Sequence, residues 1–197
     1  MGYLTEKGIF SPLSQNIITD AKDFSCGHTD LDDFFHNDCI NYSKSLFGKS
    51  YCFHADGNPQ DIICAFTVSN ASVFTNRLPN ARKKKIGKDI PHLKRDLIYP
   101  AVLIGRLGVD NKYHHHQIGS EMLDFIKAWF TEPNNKTGCR YLVVDAYNTD
   151  IPLSFYLKNG FSFMFSSEEQ EKEYRNLTSS TSLVTRLMYF DLIRIIE

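Results

Sequence analysis

A mixed α/β fold, with a parallel strand pair at its centre and antiparallel strands at its flanks, is predicted by three features of this sequence. The run 101–109 is nearly all apolar apart from Arg106, which suits a strand buried on both faces. An amphipathic helical pattern follows it, and then a second short apolar run at 141–146 with Leu142-Val143-Val144 at its centre. Strand, helix, strand in this order implies a parallel pair joined by a right-handed crossover.

The remaining elements are read in chain order. Thr29-Asp30-Leu31-Asp32 is a capping-box spelling, in which the Thr29 hydroxyl and the Asp32 carboxylate would satisfy the free N–H groups of a starting helix. Leu31, Phe34, Phe35, Cys39, Tyr42 and Leu46 then recur at three- and four-residue steps, an apolar stripe that ends at Phe47-Gly48. Runs 50–54 and 62–74, joined by Asp56-Gly57-Asn58-Pro59, read as a hairpin. Residues 75–98 show no sustained period and contain Pro79 and Pro91, so a long loop, or a loop with a short helix, is expected.

After the buried strand, a helix should begin near Gln117, because Ile118, Met122, Leu123, Ile126, Trp129 and Phe130 share one face at a 3.6-residue period. A short helix over 150–158 tolerates Pro152 in its first turn, and Asn159-Gly160 ends it. A strand at 161–165, an acidic helical excursion at 168–175 and a final strand at 183–192 complete the series.

With 197 residues, 42% hydrophobic and 13% aromatic, the chain can fill one core. A single domain over 1–197 is expected, with a basic loop inserted at about 75–98. The formal charge is −1, so the molecule as a whole offers no strong field to nucleic acid or an anionic membrane. A local patch is another matter: positions 82–95 hold seven basic residues (Arg82, Lys83, Lys84, Lys85, Lys88, Lys94, Arg95) against one acid, Asp89. Cys26, Cys39, Cys52, Cys64 and Cys139 are odd in number and form no C-x-x-C pair, which suits reduced thiols of a cytoplasmic protein. Residues 1–10 lack the basic-then-apolar build of a signal peptide, and no apolar run approaches the ~20 residues that span a bilayer. A cytoplasmic protein without a membrane partner is the expectation.

The stretch from Ile104 to Ser120 holds the most chemistry. A buried strand ends, a polar turn follows, and an amphipathic helix opens close to Gly119, so its unbonded N–H groups form an anion site. Such a site contributes up to ~2 kcal/mol for a well-placed anion. His114-His115-His116 invites a metal reading, yet consecutive residues do not converge easily on one ion and no acidic or cysteine partner sits at ligand spacing. A solvated loop with one histidine near a phosphate is expected instead.

This stretch resembles the central motif of the GNAT superfamily of acetyl-CoA-dependent N-acetyltransferases. Leu107-Gly108-Val109 matches its strand, Tyr113 the aromatic before the loop, and Gly119 the final glycine of the Gln/Arg-x-x-Gly-x-Gly/Ala signature. His114 stands where Gln or Arg is usual, and Gln117 replaces the first glycine. A second block, Asn148 followed by Phe155-Tyr156 and Gly160-Phe161, is similar to the family's Asn and Phe-Tyr-x-x-x-Gly-Phe. A third, from Phe24 to Phe35, resembles the signature of the branch that includes bacterial toxins acetylating aminoacyl-tRNA.

The resemblance implies a GNAT-like acyltransferase fold and direct acetyl transfer from acetyl-CoA to a primary amine. Three needs follow: a lost proton on the amine, a donor for the oxyanion, and a proton for the departing thiolate. Tyr156 is the implied acid. Leu107, Gly108 and Val109 would meet the pantetheine and polarise the carbonyl through backbone N–H groups. His114, His115, Gln117, Ile118, Gly119 and Ser120 would hold the pyrophosphate, and Asn148 is the further cofactor residue. No metal is implied. The acceptor is a small-molecule, peptide or protein amine; the alternatives are the amino group of aminoacyl-tRNA, bound through the basic loop, or a CoA-binding module without turnover. A homodimer is among the assemblies left open.

Each assignment has a plainer counterpart. Tyr156 could pack at a helix–strand junction. Arg106 could line an acceptor groove or pair with a buried carboxylate, since a charge in an apolar strand needs a partner. The aromatic stripe with Trp129 reads as core, and the lysine cluster as solvated surface or a phosphate-binding face. Cys26 and Cys139 have no adjacent His with an orienting acid, which argues against either as a nucleophile.

Overall fold

The buried run at 62–68 and the helical stripe that starts at Ile118 organise the first of two compact units in the computed structural model, which describes residues 2–21, 24–88, 90, 98–114 and 116–196. Residues 1–69 with 104–129 form unit 1, and residues 70–103 with 130–197 form unit 2. Among the described residues, seven strands form one sheet in the order β1-β2-β3-β4-β5-β7-β6. They are β1 (Gly8–Pro12), β2 (Lys49–Ala55), β3 (Asn58–Phe74), β4 (Ile98–Val109), β5 (Tyr141–Tyr147), β6 (Ser162–Phe163) and β7 (Thr185–Asp191). β4 and β5 are the parallel pair, with antiparallel strands on either side.

In unit 1, β1 pairs with β2 from Gly8 opposite Ala55 to Pro12 opposite Tyr51, and β2 pairs with β3. No sequence pattern marks an element before residue 24. The five residues of β1, holding Gly8 and Pro12, carry no strand signature of their own; pairing to β2 makes them a strand. Helices α1 (Tyr3–Lys7) and α2 (Gln15–Asp20) flank it, α2 capped by Ser14, whose Oγ accepts from Ile17 N. On α6 (Ile118–Thr131), Ile118, Met122, Leu123 and Ile126 are buried as the period predicts. Trp129 packs among Phe10, Tyr51 and Phe125, at 4.9 Å from the Tyr51 ring.

The helix expected at Thr29 is present but built differently. α3 (Thr29–Asp33) runs into a π turn over Phe34–Asp38 and then α4 (Cys39–Lys44). His28, not Thr29, occupies the capping position, and the Asp32 carboxylate turns back to the loop before the helix: Cys26 N donates to it at 2.8 Å and Ser25 Oγ at 2.7 Å. The capping box is therefore corrected to a loop clasp. A π turn also rotates everything after it off the original stripe. Phe34, Phe35 and Cys39 are buried with Leu13, Ile18, Cys52 and Ile62, whereas Leu46 lies past the helix end, 89% exposed and at φ +61°.

Unit 2 joins β5 to β7 in antiparallel register, from Tyr141 opposite Asp191 to Tyr147 opposite Thr185. The short helix allowed for in the 75–98 loop is α5 (Asn80–Ile86). It carries Arg82, Lys83, Lys84 and Lys85; Asp89, Lys94 and Arg95 lie outside the described residues. Buried Tyr141 donates its hydroxyl to Ile86 O at 2.7 Å and so pins the helix end. α7 (Asp150–Lys158) stops at Gly160, φ +82°, as the Asn-Gly pair predicts. The strand at 161–165 is shorter than expected, only Ser162–Phe163 pairing with β7. Phe161 and Phe165 are buried core residues beside it. α8 (Glu168–Tyr174) is the acidic excursion, and α9 (Ile193–Ile196) is the last described element.

Candidate functional site

The candidate cradle in unit 1 is built from the end of β4 upward. Asp110, 2% exposed, closes the strand: its N donates to Ile63 O at 2.9 Å, its Oδ1 accepts from Lys112 N at 2.8 Å, and its Oδ2 accepts from Ser25 N at 3.0 Å. A single 3₁₀ turn, Asn111–Tyr113, follows. His114 Nε2 lies 3.0 Å from Val109 O and folds that turn back on the strand. Tyr113 donates its hydroxyl to Asp61 Oδ2 at 2.6 Å. Burial and this carboxylate together push the phenol well above its usual range, so it is spent on structure.

Gln117 is the informative residue of the turn. Its φ is +57°, the left-handed conformation that glycine adopts without cost and a side chain rarely does. The position where the resembled motif carries glycine thus has the glycine backbone. Gln117 O accepts from Ser120 N at 2.9 Å and Glu121 N at 3.2 Å, so the amides of Ile118 and Gly119 stand ahead of the first intrahelical bonds. An acid in a first turn would ordinarily oppose an anion there. Glu121 is instead committed to α1, its carboxylate accepting from Tyr3 N at 2.9 Å and Leu4 N at 2.7 Å. Gln117 and His116 are exposed, and His116 packs against Tyr3 at 5.5 Å between rings; His115 lies outside the described residues.

The 24–35 block braces this turn. Asn111 N donates to Ser25 O at 2.9 Å. A side chain added at Gly108 would come within 3.2 Å of Cys26, so glycine at 108 lets the strand and the loop approach this closely without either shifting. Burial works against the Asp32 charge, but the bonds from Cys26 and Ser25 outweigh it and hold the carboxyl below its usual range. Burial and the Asp32 bond push the Cys26 thiol up to about 12, which leaves it a poor nucleophile. Burial likewise pushes Cys139 up to about 11. Arg106 finds its partner in an aromatic face: its guanidinium sits 4.2 Å from the Phe34 ring centroid, and no carboxylate pairs with it among the described residues.

Unit 2 holds Tyr156 and Asn148. Tyr156 is on α7, its ring set edge-on to Phe155 and Phe161 at 5.1 and 5.3 Å. Desolvation alone raises its hydroxyl above the usual tyrosine range, so the phenol stays protonated across neutral pH. That is the state required of an acid. Asn148 donates its side-chain amide to Glu168 Oε1 and Leu183 O, both at 3.0 Å, tying the end of β5 to α8 and to the approach of β7.

One feature had no sequence signal. Glu171 is fully buried and accepts from Arg175 Nη2 at 2.8 Å, Arg186 Nε at 2.8 Å and Leu187 N at 2.7 Å. Arg175 in turn donates to Asp145 Oδ1 at 2.7 Å. The five residues come from α8, its C-terminal cap, β7 and β5, so only their convergence in space reveals a network.

No protein-family model matches the chain, and no curated protein matches it. Solved structures do. The chain is similar to a tyrosine-to-phenylalanine mutant of KacT at 18% identity, over 96% of this chain and 98% of that one, with a TM-score of 0.70. It is similar to AtaTR bound with AcCoA at 17% identity, over 97% of both chains, with a TM-score of 0.68. AtaT complexed with acetyl-methionyl-tRNAfMet aligns at 17% identity over 96% of this chain and 97% of that one, with a TM-score of 0.67. The chain therefore has the GNAT-like fold along almost its whole length.

Proposed function

We propose that the protein is an N-acetyltransferase that moves the acetyl group of acetyl-CoA to the amino group of aminoacyl-tRNA. The left-handed Gln117 at the head of α6 carries the cofactor part of this reading, since it gives a non-glycine residue the backbone of a phosphate-binding turn. The amides of Ile118 and Gly119 and the hydroxyl of Ser120 would hold the diphosphate, with His114 and Gln117 around it. The backbone of Leu107, Gly108 and Val109 would pair with the pantetheine amides as an added strand does. Acetyl-CoA would supply an acyl group already activated as a thioester.

Tyr156 holds a proton at Oη, for release to the departing thiolate. Asn148 would orient the segment that leads from β5 into α7, the helix that carries this tyrosine. The acceptor is supported by the fold shared with AtaT, whose solved complex contains acetyl-methionyl-tRNAfMet, and by the basic face of α5. Each phosphate met by a lysine makes binding weaken with salt.

The test is acetylation of an aminoacyl-tRNA pool by the purified protein, read by mass spectrometry of the released amino acid. Transfer to the amino acid is expected. Replacing Lys83, Lys84, Lys85 and Lys88 by Ser should abolish transfer to tRNA and lower the slope of log K against log salt by about 3. Unchanged turnover after that substitution overturns the tRNA acceptor, and absence of acetyl-CoA binding in calorimetry overturns the enzyme reading altogether.

A further inference from the structure

In unit 1, the short helix α1 touches the turn before α6 at both ends. The Tyr3 ring packs 5.8 Å from that of Tyr113, ahead of the triple histidine, and 5.5 Å from that of His116, next to Gln117. The same helix takes its cap from α6. Gly2 stands at the capping position with no side chain to give, so the amides of Tyr3 and Leu4 need an acceptor from elsewhere. Glu121 supplies it: Oε1 accepts from Tyr3 N at 2.9 Å and Oε2 from Leu4 N at 2.7 Å. A side chain at residue 2 would stand 2.5 Å from Glu121 Oε2, so glycine there lets the carboxylate reach both amides unshifted.

Two features of the cradle depend on these contacts. The left-handed backbone of Gln117, at φ +57°, is strained for a residue with a side chain and persists only where its surroundings hold it. Tyr3 on His116 holds it from one side, and Glu121 bound to α1 holds it from the other. Glu121 also lies within one turn of the amides of Ile118 and Gly119, where a free carboxylate would repel a diphosphate. Its bonds to α1 engage both of its oxygens. We propose that α1 is a clasp for the cofactor: Tyr3 keeps the Gln117 turn in its anion-binding form, and the Tyr3 and Leu4 amides keep the Glu121 carboxylate from the diphosphate. The inference rests on the acetyl-CoA reading above. Gly2, Tyr3 and Glu121 are positioning residues, acting through the turn and not on the reacting atoms. Without the clasp, only molecules that still hold Gln117 left-handed bind, and the observed affinity falls by that fraction.

Calorimetric titration of the full chain with acetyl-CoA tests the clasp. Tyr3→Ala should raise the Kd about tenfold, and Tyr3→Phe, which keeps the ring, should leave it in place. Gln117→Gly in the Tyr3→Ala background should restore the native value, because glycine takes the left-handed form unaided. Gly2→Ala, which displaces the Glu121 carboxylate, should also raise the Kd about tenfold, and Glu121→Gln in that background should bring it back by removing the charge. In the transfer assay these losses should appear in the KM for acetyl-CoA. The kcat at saturation should stay in place, as should the KM for acetyl-pantetheine, which lacks the diphosphate. Native affinity in Tyr3→Ala and Gly2→Ala, or losses that the second substitutions fail to recover, overturn the clasp while the acetyl-CoA reading stands. No binding of acetyl-CoA by the native chain overturns both.

Discussion

Asp110 Oδ2 accepts the amide hydrogen of Ser25 at 3.0 Å, and this bond ties the loop before α3 to the turn after β4. The same carboxylate caps the turn through Lys112 N. Asp110→Ala would leave two donors without their acceptor in a nearly water-free place, which costs about 3 kcal/mol. A chain of this length then melts about 6–12 °C lower. Thermal unfolding followed by circular dichroism reads this directly, and a shift under 2 °C would show that the two segments hold together without Asp110.

Asp32 sets an acid limit on the same loop. Its folded carboxyl lies below the unfolded value near ~3.9, so its contribution is complete above that value. The contribution is lost as pH falls through the depressed folded value. The melting difference between the native chain and Asp32→Asn should therefore be constant from neutral pH down to about 5 and shrink below about 4. A difference independent of pH would contradict the clasp of Asp32 on Cys26 and Ser25.

Gln117 pays a conformational cost that glycine would not. A left-handed side-chain residue costs about 1–2 kcal/mol, and the freer unfolded state of glycine takes back about 0.4–1 of it. Gln117→Gly should accordingly raise the Tm by about 2 °C and preserve acetyl-CoA binding measured by calorimetry. Gln117→Ile should lower both stability and binding, because a β-branched side chain fits that conformation worst.

Tyr156→Phe removes the proton that the proposed reaction needs at the leaving sulfur. The kcat should fall by about 10²–10⁴, with the Kd for acetyl-CoA little changed. Since burial raises the phenol, the native rate should hold to pH above about 10, where an exposed tyrosine would ionise. A loss of rate near pH 8 that the phenylalanine variant also shows would remove Tyr156 from the proton path.

The sequence by itself determined the elements whose pattern is local and long. The 3.6-residue stripe on α6, the apolar runs of β4 and β5, the Asn-Gly stop of α7 and the motif around Gly119 are legible because each repeats within a dozen residues. Tertiary structure alone decided the rest. Gly8 to Pro12 is a strand only because β2 offers it a ladder, and the capping-box spelling at Thr29 yields to Asp32 clasping Cys26 because that carboxylate finds three donors in the loop before the helix. Glu171 reads as one more acid of a charged surface helix until Arg175, Arg186 and Leu187 converge on it. A buried charge is stable only where several donors meet it, and donors supplied by a helix cap and a distant strand leave no spacing in the chain to read.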